Sequence, residues 1–207
     1  MNLQTYIYEH LGDEREVLKE LYRRTHLHTV YPEMVSGHEQ GRLLGMFSRM
    51  IHPERILEIG TFTGYSAICL AEGLTPEGKL HTIEQNDELT ELAALFFKEA
   101  GLSDKIIQYT GDALEIIPEL NICFDLVFID ASKKHYLDYY RVVFDKVKKG
   151  GYILIDNILW YNKIFDSKIR DVTTEKLREF NMFVSKDVRV ERAIVRNRDG
   201  MFVLQKK

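Results

Sequence analysis

The sequence predicts an α/β fold, a mostly parallel seven-stranded sheet with helices on both faces. Three observations carry this. From residue 55 onward, short apolar runs recur without polar alternation, as strands buried on both faces should. Segments of helical length fall between them, which indicates βαβ units. The chain then ends on "VRVERAIVR" and "GMFVLQKK", two strand-like runs joined by a short turn at Asn197–Gly200. That hairpin brings one antiparallel strand into the sheet.

The elements follow in order. The first fifty residues read as helical. "DEREVLKELYRRTHLH" places Val17, Leu18, Leu21 and Tyr22 on one face. "SGHEQGRLLGMFSRMI" has Ser36 and Glu39 in capping-box spacing, with Leu43, Leu44, Phe47 and Met50 turned inward. Strands are expected at 55–60, 79–84, 105–110, 125–130 and 150–156. Helices are expected at about 64–74, 87–101, 112–119, 134–148 and 171–185. Gly150 and Gly151 make a turn before the last parallel strand, and Lys146, Lys148 and Lys149 end the helix before it, where cations suit the helix dipole.

With 207 residues the chain is long enough for one domain with a sizeable core. Repeats, low-complexity stretches and linkers are absent from the sequence, so 1–207 reads as a single domain, with 1–50 helical and 51–207 the α/β core. The net charge of −4 gives no support for a general nucleic-acid or acidic-membrane binder. Cys69 and Cys123 are far apart in apolar runs, which predicts buried, reduced thiols and a cytoplasmic protein. The N-terminus has no charged leader followed by an apolar core, and no apolar run is long enough for a membrane span.

Chemistry gathers at the strand ends. "ILEIGTFTGYSA" puts Gly60 and Gly64 between the first strand and its helix, either as a tight turn or as a loop that lets a ligand approach the backbone. Glu84 closes the second strand, where a carboxylate is either solvated or accepts from the hydroxyls of a ribose. "TGDA" at 110–113 closes the third, where an adenine could rest. A P-loop lysine is missing, and Glu58 stands just before the glycines. An acid there suits the amino group of a cationic cofactor better than a pyrophosphate, which favours S-adenosylmethionine over NAD. Asp130, and Asp156 with Asn157, end the fourth and fifth strands. They either cap loops or form an all-oxygen set for Mg²⁺, Mn²⁺ or Ca²⁺. A bare carboxylate between apolar runs is otherwise costly.

Taken together, "MVSG" at 34–37, "EIGTFTGYSA" at 58–67, Glu84, "GDA" at 111–113, "DASK" at 130–133 and "DNILW" at 156–160 resemble the cation-dependent O-methyltransferases, the family of catechol and caffeoyl-CoA O-methyltransferases. The match spans roughly residues 30–207. The resemblance implies a Rossmann-like methyltransferase domain. It implies backbone contacts from Met34 and Ser36 to the methionine part of the cofactor, with Glu58, Gly60 and Ser66 around its amino and carboxylate groups. Glu84 would meet the ribose and Ala113 the adenine. Asp130, Asp156 and Asn157 match the family's metal ligands, with Asp130 also near the cofactor. Lys133 matches its general base, where a surface charge is the alternative.

The implied acceptor is a small vicinal dihydroxy aromatic. A hydroxylated uridine in tRNA is the second acceptor the resemblance allows, whereas the glycine spacing and the Asp-Asn pair argue against a dehydrogenase. Trp160 and Tyr161 either wall a substrate pocket or pack in the core. His26 and His28 read as surface or lid histidines rather than metal ligands. A homodimer is expected, with Leu18, Leu21 and Tyr22 covered by the partner.

Overall fold

The predicted strands form one sheet. They are β1 (Arg55–Ile59), β2 (Lys79–Glu84), β3 (Ile106–Thr110), β4 (Phe124–Ile129), β5 (Val147–Ile155), β6 (Val190–Val195) and β7 (Met201–Lys206). Their order is β3-β2-β1-β4-β5-β7-β6. β7 runs antiparallel to both β5 and β6, and the other pairings are parallel. The structure, a computed structural model, describes residues 1–207 apart from the side chain of Gln4.

Alternation along the strands feeds two cores. Leu57, Ile59, Val127, Ile129, Ile153 and Ile155 pack against α6 (Ala113–Glu119), α7 (Tyr136–Phe144) and α8 (Val172–Lys186). Ile56, Leu80, Leu126, Phe128 and Leu154 face the opposite layer, made of α2 (Glu16–His28), α3 (Gly37–Ile51), α4 (Tyr65–Ala71) and α5 (Thr90–Glu99). A short helix, α1 (Leu3–His10), precedes them. β1 lies between β2 and β4, so the chain reverses its direction of travel across the sheet there. Ligands of open α/β sheets bind beyond the strand ends at such a point.

Several expectations are corrected. α3 buries Gln40, Gly41, Leu44, Gly45 and Ser48, while Met50 is exposed and Leu43 and Phe47 are only half-buried. Apart from Leu44 its inner stripe is small or polar, because it lies close against α4. A Cβ on Gly41 would come within 2.7 Å of both Cys69 Sγ and Tyr65 Cε1. The side chain of Ser36 makes no capping bond, because the residue is already in helical conformation. Tyr22 is exposed, and Cys123 sits exposed just before β4. Gly150 and Gly151 lie inside β5, where Lys148 to Gly151 stand opposite Asp125 in an irregular pairing. Lys148 and Lys149 are therefore strand residues, and Lys148 pairs with Asp125 at 2.7 Å rather than with a helix end.

Candidate active site

The carboxyl ends of β1, β2, β4 and β5 open into one cavity of about 810 Å³. At the end of β1 the chain turns through Gly60, at φ +100°, with its N–H on Ile83 O at 2.9 Å. A Cβ there would lie 2.0 Å from the carbonyl oxygen of Asp130, so only glycine lets the ends of β1 and β4 approach this closely. Gly64 takes a second left-handed turn and starts α4, which carries Ser66 into the cavity wall. The loop is held from outside. Thr25 of α2, wholly buried, hydrogen-bonds Thr63 at 2.9 Å, and Glu14 accepts a hydrogen bond from the Tyr65 hydroxyl.

Glu58 sits beneath this loop rather than in the cavity lining, with none of its surface exposed. Burial pushes its carboxyl up to about 8, against the pull of the Ser66 and Thr82 hydroxyls, of which Thr82 donates to Oε2 at 2.5 Å. Its Oε1 is buried without a partner. A buried oxygen left unpaired there suits an ammonium group brought by a ligand, which would favour the ionised carboxyl.

Glu84 lines the cavity. Its Oε2 accepts from Phe62 N at 2.7 Å and its Oε1 from Asn86 N at 2.9 Å, so the glycine loop holds it in place. An ionised carboxylate has lone pairs left for further donors. Ala113 lines the same cavity, at the start of an α6 capped by Asp112. Met34 and Ser36 line it as well.

At the ends of β4 and β5 the structure brings Asp130, Lys133, Asp156 and Asn157 into the cavity wall. Lys133 Nζ lies 2.7 Å from Asp130 Oδ1 and 5.5 Å from the centroid of the Tyr136 ring. Asp156 is 2% exposed. Burial first, and the charge of Asp130 second, raise its pKa above the usual carboxylate range, while Gln40, the Asn157 backbone and Lys133 oppose the shift. Among the described residues no three His, Cys, Asp or Glu side chains gather as a metal site. The set here is two carboxylates and an amide. Two carboxylates that repel each other, one of them almost enclosed, fit a hard divalent cation.

Sequence reasoning missed Gln40, wholly buried with its Nε2 on Asp156 Oδ2 at 2.7 Å, and Arg198, which lines the cavity. The only available signal was a polar residue four positions before Leu44 on the inward face of α3. Trp160 and Tyr161 both line the cavity, as does His28 at the end of α2, whereas His26 bonds back to Tyr22 O at 2.9 Å.

Residues 8–207 match the O-methyltransferase family. The chain belongs to this family. Its relatives include a caffeoyl-CoA O-methyltransferase of Populus kitakamiensis, 34% identical over 96% of this chain and 91% of the relative. Among solved structures, the O-methyltransferase TomG of Streptomyces achromogenes, in complex with SAM, is 30% identical with a TM-score of 0.91, covering 98% of this chain and 95% of that one. An O-methyltransferase from Bacillus cereus, in complex with SAH, is 25% identical with a TM-score of 0.92, covering 98% and 96%. An O-methyltransferase cavity must serve a methyl donor and an acceptor hydroxyl, and the cavity at the strand ends is the candidate for both.

Proposed function

We propose that this O-methyltransferase moves a methyl group from S-adenosylmethionine to one hydroxyl of a vicinal dihydroxy aromatic small molecule, with the help of a divalent cation. The observation that carries the reading is the joining of two repelling carboxylates, an amide and a lysine at the same cavity as the glycine loop. A volume of about 810 Å³ is within the usual range for small-molecule sites, about 300–1,000 Å³.

In this reading Glu58, Gly60 and Ser66 hold the amino-acid end of the donor, with backbone contacts from Met34 and Ser36. Glu84 accepts from the ribose hydroxyls, and Ala113 lies beside the adenine. Asp130, Asp156 and Asn157 hold the cation, which when bound supplies Lewis acidity toward two adjacent hydroxyl oxygens. Lys133 is the group placed to receive the proton of the reacting hydroxyl. Trp160, Tyr161 and the end of α2 shield the reacting atoms from water, which strengthens the electrostatics inside. We place the enzyme in the cytoplasm, in keeping with its two free thiols, and as a homodimer. Among the described residues no helix is long and apolar enough to cross a membrane.

Methyl transfer to a catechol acceptor should fall to background in EDTA and return with Mg²⁺ or Mn²⁺. Asp156→Ala and Asn157→Ala should lose most activity while calorimetry still detects the donor. Full activity in a metal-stripped preparation would refute the cation requirement.

A further inference from the structure

Gln40 stands on the inner face of α3, where the glycine at 41 lets that helix lie against α4. Its side chain spans two partners. Nε2 donates to Asp156 Oδ2 at 2.7 Å, and Oε1 accepts from Arg198 Nη1 at 3.1 Å. An amide's oxygen and nitrogen are told apart only by their partners. Arginine can only donate, so the oxygen of Gln40 must face Arg198. Its NH₂ group is then committed to the carboxylate.

Arg198 is itself anchored. The same nitrogen donates to Ser36 O at 2.6 Å and Val35 O at 3.3 Å. Arg198 lies in the tight turn between β6 and β7, at φ +45°. The next residues of that turn grip the loop that carries Asn157. Tyr161 N donates to Asp199 Oδ1 at 2.7 Å, Leu159 N to Asp199 O at 3.0 Å and Ile158 N to Gly200 O at 3.1 Å. One hairpin turn therefore touches the Val35–Ser36 segment on one side and the Asn157–Tyr161 loop on the other, and Gln40 closes the circuit on Asp156.

We propose that Gln40 is a positioning residue that fixes the carboxylate plane of Asp156 for the cation, and that Arg198 fixes the orientation of Gln40. The inference rests on the reading of Asp156 as a cation ligand. A carboxylate held in one plane before the ion arrives loses less freedom on binding. Partners of this kind, hydrogen-bonded behind a metal ligand, typically contribute about 10–100-fold to metal affinity.

The test measures Mn²⁺ binding directly, from the electron paramagnetic resonance signal of free Mn²⁺, on the full-length protein without acceptor. Gln40→Met should weaken Mn²⁺ binding about 10-fold or more. Its affinity for S-adenosylhomocysteine, measured without metal, should stay within about twofold, a split that general loosening of the fold would not produce. Arg198→Met should weaken Mn²⁺ binding in the same direction. The double variant should bind no worse than Gln40→Met, because the two act through one contact. Gln40→Met with wild-type Mn²⁺ affinity would overturn the inference. Should that variant fail to fold, Arg198→Met decides by the same criterion. A wild-type protein that binds no Mn²⁺, or whose binding survives Asp156→Ala, would instead bring down the cation reading itself and the inference with it.

Discussion

Glu58 shows how a single enclosed carboxyl can tie stability to ligand binding. In the fold it holds its proton up to about pH 8, against 4.5 as its ordinary value. The native state therefore binds more protons than the unfolded chain across that interval. The contribution to stability is full below about 4.5 and is lost as pH rises through about 8. Glu58→Gln, neutral at every pH, should flatten this decline, as measured by denaturant unfolding at the two ends of the window. An ammonium group placed beside Glu58 would favour the ionised form, so binding of the donor should release a proton. Affinity for S-adenosylmethionine should then rise, at most about tenfold per unit, between about pH 6 and 7.5, where an α-amino group of pKa about 7.7–8.0 stays charged. The variant should bind more weakly and show no such rise. A wild-type affinity independent of pH over that range would remove Glu58 from the donor's amino group.

The elements were legible in proportion to how far burial alone decides their residues. β1, β2, β4 and β5 are enclosed on both faces, so their apolar runs announced them, and the acids that follow announced the strand ends. α3 was legible as a helix with Leu44 on its inner face, but Met50 is exposed and Leu43 and Phe47 are only half-buried. Large apolar residues are the natural choice for an inner face, whereas this helix turns Gly41, Gly45 and Ser48 inward beside Leu44 to approach α4. Gln40 stayed hidden because its role exists only through Asp156 and Arg198, 116 and 158 residues away. No local pattern encodes such a contact. The β5 boundary was lost because a glycine pair reads alike as a turn or as an irregularity within a strand. The close approach of α3 and α4 is testable. Helix propensity alone favours alanine over glycine by about 1 kcal/mol. A methyl group forced against Cys69 and Tyr65 should cost about 1–3 kcal/mol. Gly41→Ala should therefore lower the melting temperature, and a rise would show that the two helices part freely.

At the scale of the whole molecule, the N-terminal helices do not play the part the sequence suggested. Leu18 and Leu21 are covered within the chain, by the layer that contains α4 and α5, so they no longer argue for a partner. The apolar residues left exposed include Val30 and Tyr31 at the cavity, Leu27 on α2, and Leu3 and Tyr6 on α1. The homodimer proposal now leans on these. Light scattering at micromolar concentration should give twice the 24.3 kDa of one chain, and the single-chain mass would refute it. The N-terminal helices also bear on the donor side of the cavity. Were α2 only a lid or an interface, removing residues 1–28 would spare donor binding. The structure instead ties α2 to the glycine loop through the buried pair Thr25–Thr63, and ties the segment before it through Glu14 to Tyr65. Both loop partners belong to the cavity wall. Truncation should therefore weaken binding of S-adenosylmethionine as well as acceptor. Because the truncated chain would also lose part of its core, Thr25→Val is the sharper probe. It keeps the volume and removes one hydroxyl, leaving Thr63 buried without that partner, at a cost of about 1–3 kcal/mol. Its destabilisation should come with weaker donor binding in calorimetry. A variant that is destabilised yet binds the donor as the wild type does would show that α2 supports the fold without shaping the loop.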